Sequence, residues 1–141
     1  MLRDYVTVDA MIDATPEVVW RFLILERSSW WPGLRFDPVV GSPLVETWTE
    51  DGRPRSAAGT VTRCEEPYLL GFTWTEPTWA HPLDVEIRLV AKEGATAVTI
   101  TESGFLRART SSALPEEHEE GWRYHLARLK RASEGDALDA G

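Results

Sequence analysis

The sequence predicts an α+β domain in which a curved antiparallel sheet wraps around a long C-terminal helix. Three observations predict it. Apolar residues alternate with polar ones in segment after segment between Tyr5 and Ser103, the period of half-buried strands. Short turns join the later segments, so successive strands run antiparallel. Only the last helical stripe, from His118 to Ala132, is long enough to cross and cover the apolar face of such a sheet.

The elements follow in order. Tyr5 to Ile12 alternates, with Val6, Val8, Ala10 and Ile12 on one face. Thr15-Pro16-Glu17 then opens a helix: Thr15 suits the cap, Pro16 the first turn, and Glu17 the positive end of the dipole. Val18, Val19, Phe22 and Leu23 give that helix its apolar stripe, and it should end near Ile24 to Arg27. Ser28 to Gly33, containing Trp30 and Trp31, reads as a loop or broken helical turn stopped by Pro32 and Gly33.

Strands dominate from there. Leu44 to Thr49 and Ser56 to Cys64 form a hairpin about Glu50-Asp51-Gly52-Arg53. Tyr68 to Thr75 places Leu70, Phe72 and Trp74 on one face. Leu83 to Val90 alternates, Lys92-Glu93-Gly94 turns, and Ala97 to Ser103 returns with Val98, Ile100 and Glu102 on one face. Gly104 to Ala113 is a connection. Pro115 opens the long helix, with glutamates in its first turns and Arg123, Arg128, Lys130 and Arg131 toward its other end, as the dipole favours. The domain is expected to span 1–133, with 134–141 a disordered or frayed tail.

Composition narrows the function classes. A net charge of −8, with no basic stripe, argues against nucleic acid and against an anionic membrane surface. Cys64 is the only cysteine, so no internal disulfide can form. Met1 to Asp4 carries no apolar leader-like run, and no stretch approaches the ~20 apolar residues of a membrane span. The expected location is cytoplasmic. Seven Trp in 141 residues is a high load, and indoles line pockets for flat apolar molecules as well as filling cores.

Three stretches together resemble one superfamily. They are Ala14 to Leu23 with Trp30-Trp31-Pro32-Gly33; Gly59-Thr60-Val61 with Leu69 to Trp74; and Val98 to Phe105 leading to Glu119-Glu120-Gly121-Trp122, with Leu126 and Leu129 behind. They are similar to the START-like (Bet v 1-type, SRPBCC) superfamily, and within it to the group named for the activator of heat-shock-protein ATPase homologues. The resemblance covers residues 5 to 132. It implies a helix-grip fold with an internal cavity, and no single activity, because this fold hosts carriers, enzymes and co-chaperone domains. The chain shows no additional N-terminal domain of the kind typical of eukaryotic activators, which sets the co-chaperone role behind the others.

The leading expectation is therefore a binding module for a small hydrophobic molecule, held in a largely apolar pocket between sheet and C-terminal helix. Its walls are expected from Trp31, Trp48, Phe72, Trp74, Ile87, Ile100 and Trp122, with Glu102 and His125 as polar contacts. Glu46 and Glu102 are carboxylates on otherwise apolar faces, which must be paired or titrate high. His118 and His125 share the helical stripe, and a His125–Glu102 pair is one arrangement that could move protons. This keeps a cyclase- or hydrolase-like enzyme as an alternative, without an assigned catalytic residue. A second alternative is a stress-associated interaction domain presenting Trp30, Trp31 or Trp79. An exposed edge strand could also pair two copies as a homodimer.

No cofactor or metal is expected. The sequence has no paired C-x-x-C, no H-E-x-x-H, no G-x-S-x-G and no glycine-rich phosphate loop. Gly121 sits inside the long helix at a cost of ~1 kcal/mol relative to Ala. Close helix–sheet approach or room for a ligand would account for it.

Overall fold

The computed structural model describes residues 3–140, with side chains as far as Gly135. Strand β1 (Tyr5–Ile12) leads to helix α1 (Pro16–Ile24) and a 3-10 turn at Arg27–Ser29. Strands β2 (Leu34–Arg35), β3 (Pro43–Glu50), β4 (Arg53–Glu65), β5 (Leu69–Thr75), β6 (Leu83–Lys92) and β7 (Ala95–Ser103) follow. A short helix α2 (Phe105–Ala108) precedes the long helix α3 (Leu114–Ala140).

The strands form one antiparallel seven-stranded sheet in the order β1-β7-β6-β5-β4-β3-β2. The helix-grip architecture is as the sequence predicts. The unforeseen pieces are β2, whose two residues are too short to show a period, and the single turn of α2 in the connection.

Local chemistry explains the boundaries. The Thr15 hydroxyl accepts the Val18 N–H at 3.4 Å and Pro16 takes the first turn of α1. Asp51 and Gly52 both have positive φ, the pair that a tight β3–β4 hairpin requires. Between β4 and β5 the backbones approach so closely that a Cβ on Gly59 would run into the Thr73 carbonyl oxygen. A register shift between Val61 and Arg63 follows, and such irregularities bend a sheet.

The concave face carries the core: Val6, Val8, Leu44, Val61, Leu70, Phe72, Leu83, Val85, Ile87, Leu89, Val98 and Ile100 are all buried. The rear of α3 packs on β1 and α1 through Leu126 and Leu129. Because α3 continues well past Ala132, its basic residues lie mid-helix rather than at the dipole's negative end. They act as tethers instead. Lys130 Nζ donates to the Met11 carbonyl at 2.8 Å and Arg128 Nε to the Trp30 carbonyl at 2.9 Å. Glu134, the first residue of the expected tail, accepts the Asp13 N–H at 2.8 Å. The side chains beyond Gly135 lie outside the described residues.

The loop after α1 is held by a buried cation. Arg27 donates to the carbonyls of Leu34, Ile24, Phe36 and Leu23 and lies 3.8 Å from the Phe36 ring centroid. Four carbonyls and a ring face replace the water it gives up.

Candidate functional site

A cavity of about 720 Å³ opens between the front of α3 and the curled β3–β5 side of the sheet. Trp48, Trp74, Trp79 and Trp122 line it, with Gly121 and Leu114 on the α3 side and Ala57 on β4. The acids Glu46, Glu50, Glu76 and Glu117 line it as well, together with Arg109, His118, Tyr124 and His125. The pocket is thus not the largely apolar one expected. The curl brings Glu46 from the middle of β3, Glu50 from its end and Glu76 just after β5 to its wall.

The expected residues divide into three groups. Trp48, Trp74, Trp122 and His125 are on the wall. Phe72, Ile87 and Ile100 are in the packed core, 0%, 2% and 3% exposed, and do not line the cavity; on β5 the wall begins only at Trp74, two residues beyond Phe72. Trp31 and Glu102 are buried just behind the wall and position what lines it. Trp31 stacks on the His125 ring at 3.8 Å between centroids and donates its indole N–H to Glu46 Oε2 at 3.0 Å.

Glu102 is the hub of the site and is fully buried. Its Oε2 accepts the Trp74 indole N–H at 2.6 Å. Its Oε1 accepts the Trp122 indole N–H at 2.9 Å and pairs with His118 Nδ1 at 2.8 Å. An ionised carboxylate only accepts, so against it His118 carries its proton on Nδ1. A buried carboxylate is tolerable here because three donors satisfy it.

The partner of Glu102 is therefore His118, not His125. Glu102 ends its strand, and only a short connection separates it from α3, so it meets the helix's first turns. His125 lies two turns further on, and its buried Nδ1 has no hydrogen-bond partner among the described residues.

The electrostatics follow from burial and neighbours. Burial pushes the Glu46 carboxyl up to about 7, against the opposing effects of the Trp31 N–H and the His118 charge. Burial likewise raises Glu76, partly offset by His118. For His118 burial alone would depress the imidazole. The bond to Glu102 and the charges of Glu102, Glu76 and Glu46 outweigh it, and its pKa is raised. Burial and the nearby Arg128 lower His125 to about 4, so it is a neutral ring at physiological pH.

Trp30 and Trp31, expected as exposed partner contacts, are 5% and 4% exposed. Trp30 donates its N–H to the Phe22 carbonyl at 2.8 Å and Trp31 packs inward, so neither presents a surface. Trp79 is half-buried at the cavity and 5.9 Å from His118 between ring centroids. Sequence reasoning missed Glu76, Arg109 and Tyr124, which sit on loops or on a helix flank where no period marks them. No group of His, Cys, Asp and Glu among the described residues has a metal-binding arrangement.

Known proteins now place the chain. The family described as activator of Hsp90 ATPase homolog 1-like proteins matches residues 13–134. The chain belongs to this family. Solved structures with the activator-homolog-like fold include the AHSA1-like protein of Aeromonas hydrophila, at 23% identity and TM-score 0.73, covering 95% of this chain and 94% of that one. CalU16 of Micromonospora echinospora is 21% identical with TM-score 0.71, covering 96% and 79% of the two chains. DynU16, a protein of the dynemicin biosynthetic locus, is 23% identical with TM-score 0.75, covering 92% of this chain and 46% of its own. These likenesses establish the fold. Comparison with curated proteins finds no match.

Proposed function

We propose that this member of the activator-homolog-like family is a small-molecule-binding domain. Its ligand is a flat, largely aromatic molecule with a hydrogen-bond-donating end. The observation that carries this is the cavity itself. Its volume falls within the ~300–1,000 Å³ range of ligand sites. Trp48 and Trp79 supply half-buried apolar faces to the cavity, and the buried stack of Trp74 on Trp122, ring planes 25° apart, backs them. Glu46 and Glu76 on the same wall accept hydrogen bonds and favour a donor or a cation at one end of the guest. DynU16 comes from the dynemicin biosynthetic locus, which is in keeping with a small-molecule role.

The proposal includes a cytoplasmic location. The single cysteine fits a reducing compartment, and no helix among the described residues is long and apolar enough to cross a membrane.

Native mass spectrometry before and after organic extraction tests the proposal, with a parallel panel of aromatic amines and aromatic acids read by indole fluorescence. A co-purifying aromatic compound near one per chain, or saturable quenching that Trp48→Ala abolishes, is the expected result. A clean mass with no fluorescence or melting response across the panel would sink it. The same spectra read the assembly state, and a homodimer paired through an edge strand would appear at twice the chain mass.

A further inference from the structure

The Glu102–His118 pair exceeds what a binding pocket requires. Trp74 and Trp122 stack on each other, and an apolar residue beneath them would have completed the packing. Instead a fully buried carboxylate is held by both indoles, and its remaining bond goes to an imidazole that lines the cavity. His118 Nδ1 is committed to Glu102. Its Nε2 has no hydrogen bond among the described residues and is not buried, so it stands open to the cavity. A carboxylate that fixes one ring nitrogen and leaves the other free is the arrangement of an oriented general base. Glu46 lines the same cavity, pinned by Trp31 through one oxygen only.

We propose that the cavity is also a proton-transfer site, in which His118 removes a proton from carbon of a flat conjugated molecule while the Glu46 carboxyl protonates the heteroatom that gains the electrons. The class of reaction is isomerisation: a C–H beside a carbonyl, imine or N–O bond is shifted to its enol, enamine or ring-opened tautomer. The balance closes without a co-reactant. The C–H electron pair forms the new π bond, and the heteroatom takes the Glu46 proton. His118 then returns its proton through solvent to the Glu46 carboxylate. Glu102 touches no substrate and is a positioning residue. The elevated Glu46 carboxyl supports the acid role near neutral pH.

The inference rests on the reading that the cavity holds a small molecule, and its test separates the two. The probe is 5-nitrobenzisoxazole, a flat aromatic whose carbon-bound proton is removed as its N–O bond breaks, giving a coloured nitrile phenol. Binding is read by indole quenching and turnover by colour, on the full chain. The wild type is expected to bind the probe and to accelerate ring opening on the order of 100-fold over the same concentration of free imidazole. His118→Gln is expected to bind it still and to lose most of that rate.

The rate should rise with pH as His118 loses its proton and fall again as the Glu46 carboxyl, lifted to about 7, loses its own. Glu102 on β7, Glu46 on β3 and Glu76 after β5 face that ring, and Arg109 and Glu117 line the same cavity. Glu102→Gln should move the midpoint of the rise to lower pH. A merely structural role would reduce the amplitude and leave the midpoint in place. Nitrogen-15 NMR of the wild type adds a ligand-free check, with the Nδ1–H tautomer of His118 expected above the midpoint.

Binding without acceleration, full activity in His118→Gln, or an Nε2–H tautomer would each overturn the proton-transfer proposal alone. No binding of the probe would overturn it together with the small-molecule reading.

Discussion

Replacing Glu46 by Gln should make the protein more stable at alkaline pH and leave it nearly unchanged in mild acid. Burial lifts this carboxyl from the ordinary 4.5 to about 7. The folded state therefore binds more protons at Glu46 than the unfolded chain does between those values. Stability must fall as pH rises through that window and stay level above it. At about 1.4 kcal/mol per pH unit, the wild type should lose roughly 2–3 kcal/mol between about pH 5 and about pH 8, a loss the Glu46→Gln variant does not share. Contact of Glu46 with cavity water reduces the figure, so it is an upper value.

The substitution keeps a carbonyl oxygen for the Trp31 N–H and removes one of the charges that raise His118, the smallest of those named for that ring. His125 works in the opposite sense: with its folded value near 4, it costs stability as pH falls from 6.5 toward 4. That contribution is common to both proteins and cancels in their difference. Urea denaturation of both proteins at several pH values gives that difference directly. A chain of this size should also show a Tm gap of roughly 3 °C per kcal/mol. A difference between wild type and Glu46→Gln that does not change with pH would refute burial as the cause.

Other outcomes follow from the same geometry. A Cβ on Gly121 meets nothing within 4 Å. Gly121→Ala should thus raise stability by up to ~1 kcal/mol in urea denaturation. Gly121→Leu should keep the fold but abolish ligand uptake in fluorescence titration; unchanged uptake would show that this face of α3 is not a wall. Trp122→Phe leaves Glu102 short of one donor and should cost about 1–3 kcal/mol. The loss should shrink when Glu102→Gln is combined with it, as a double-mutant cycle would read. Gly59→Ala drives a methyl into the Thr73 carbonyl and should lower the melting temperature, whereas Gly135→Ala, with nothing within 4 Å and no positive φ, should not, judged by thermal melts of both.

The fold was legible because its signals are local. Alternation in β1, β6 and β7, the Thr15 cap, the turns at Asp51-Gly52 and Glu93-Gly94, and the stripe of α3 each need only a few neighbouring residues. The site was legible only in part. An inward Trp74 and an inward Phe72 look alike in sequence; which one meets the cavity depends on how far α3 stands off the sheet. The pairing of Glu102 with His118 depends on where α3 begins relative to the end of β7. That offset is set by the connection holding α2, which has no period of its own. Glu46 was suspect from sequence as a carboxylate on an apolar face. Glu76 and Arg109 gave no such sign, since a charged loop residue is ordinary until the sheet curls it toward a void.

Helix α3 is built like a cantilever. Its rear is bolted to β1 and α1 by Leu126, Leu129, the Lys130 bond to Met11 and the Glu134 bond to Asp13. Its front overhangs the cavity and reaches the sheet through the Glu102 bracket. The part that must fold and the part that must recognise are therefore separate lengths of one helix. Residues on the overhang can be exchanged to suit a different guest while the bolted end continues to hold the domain together.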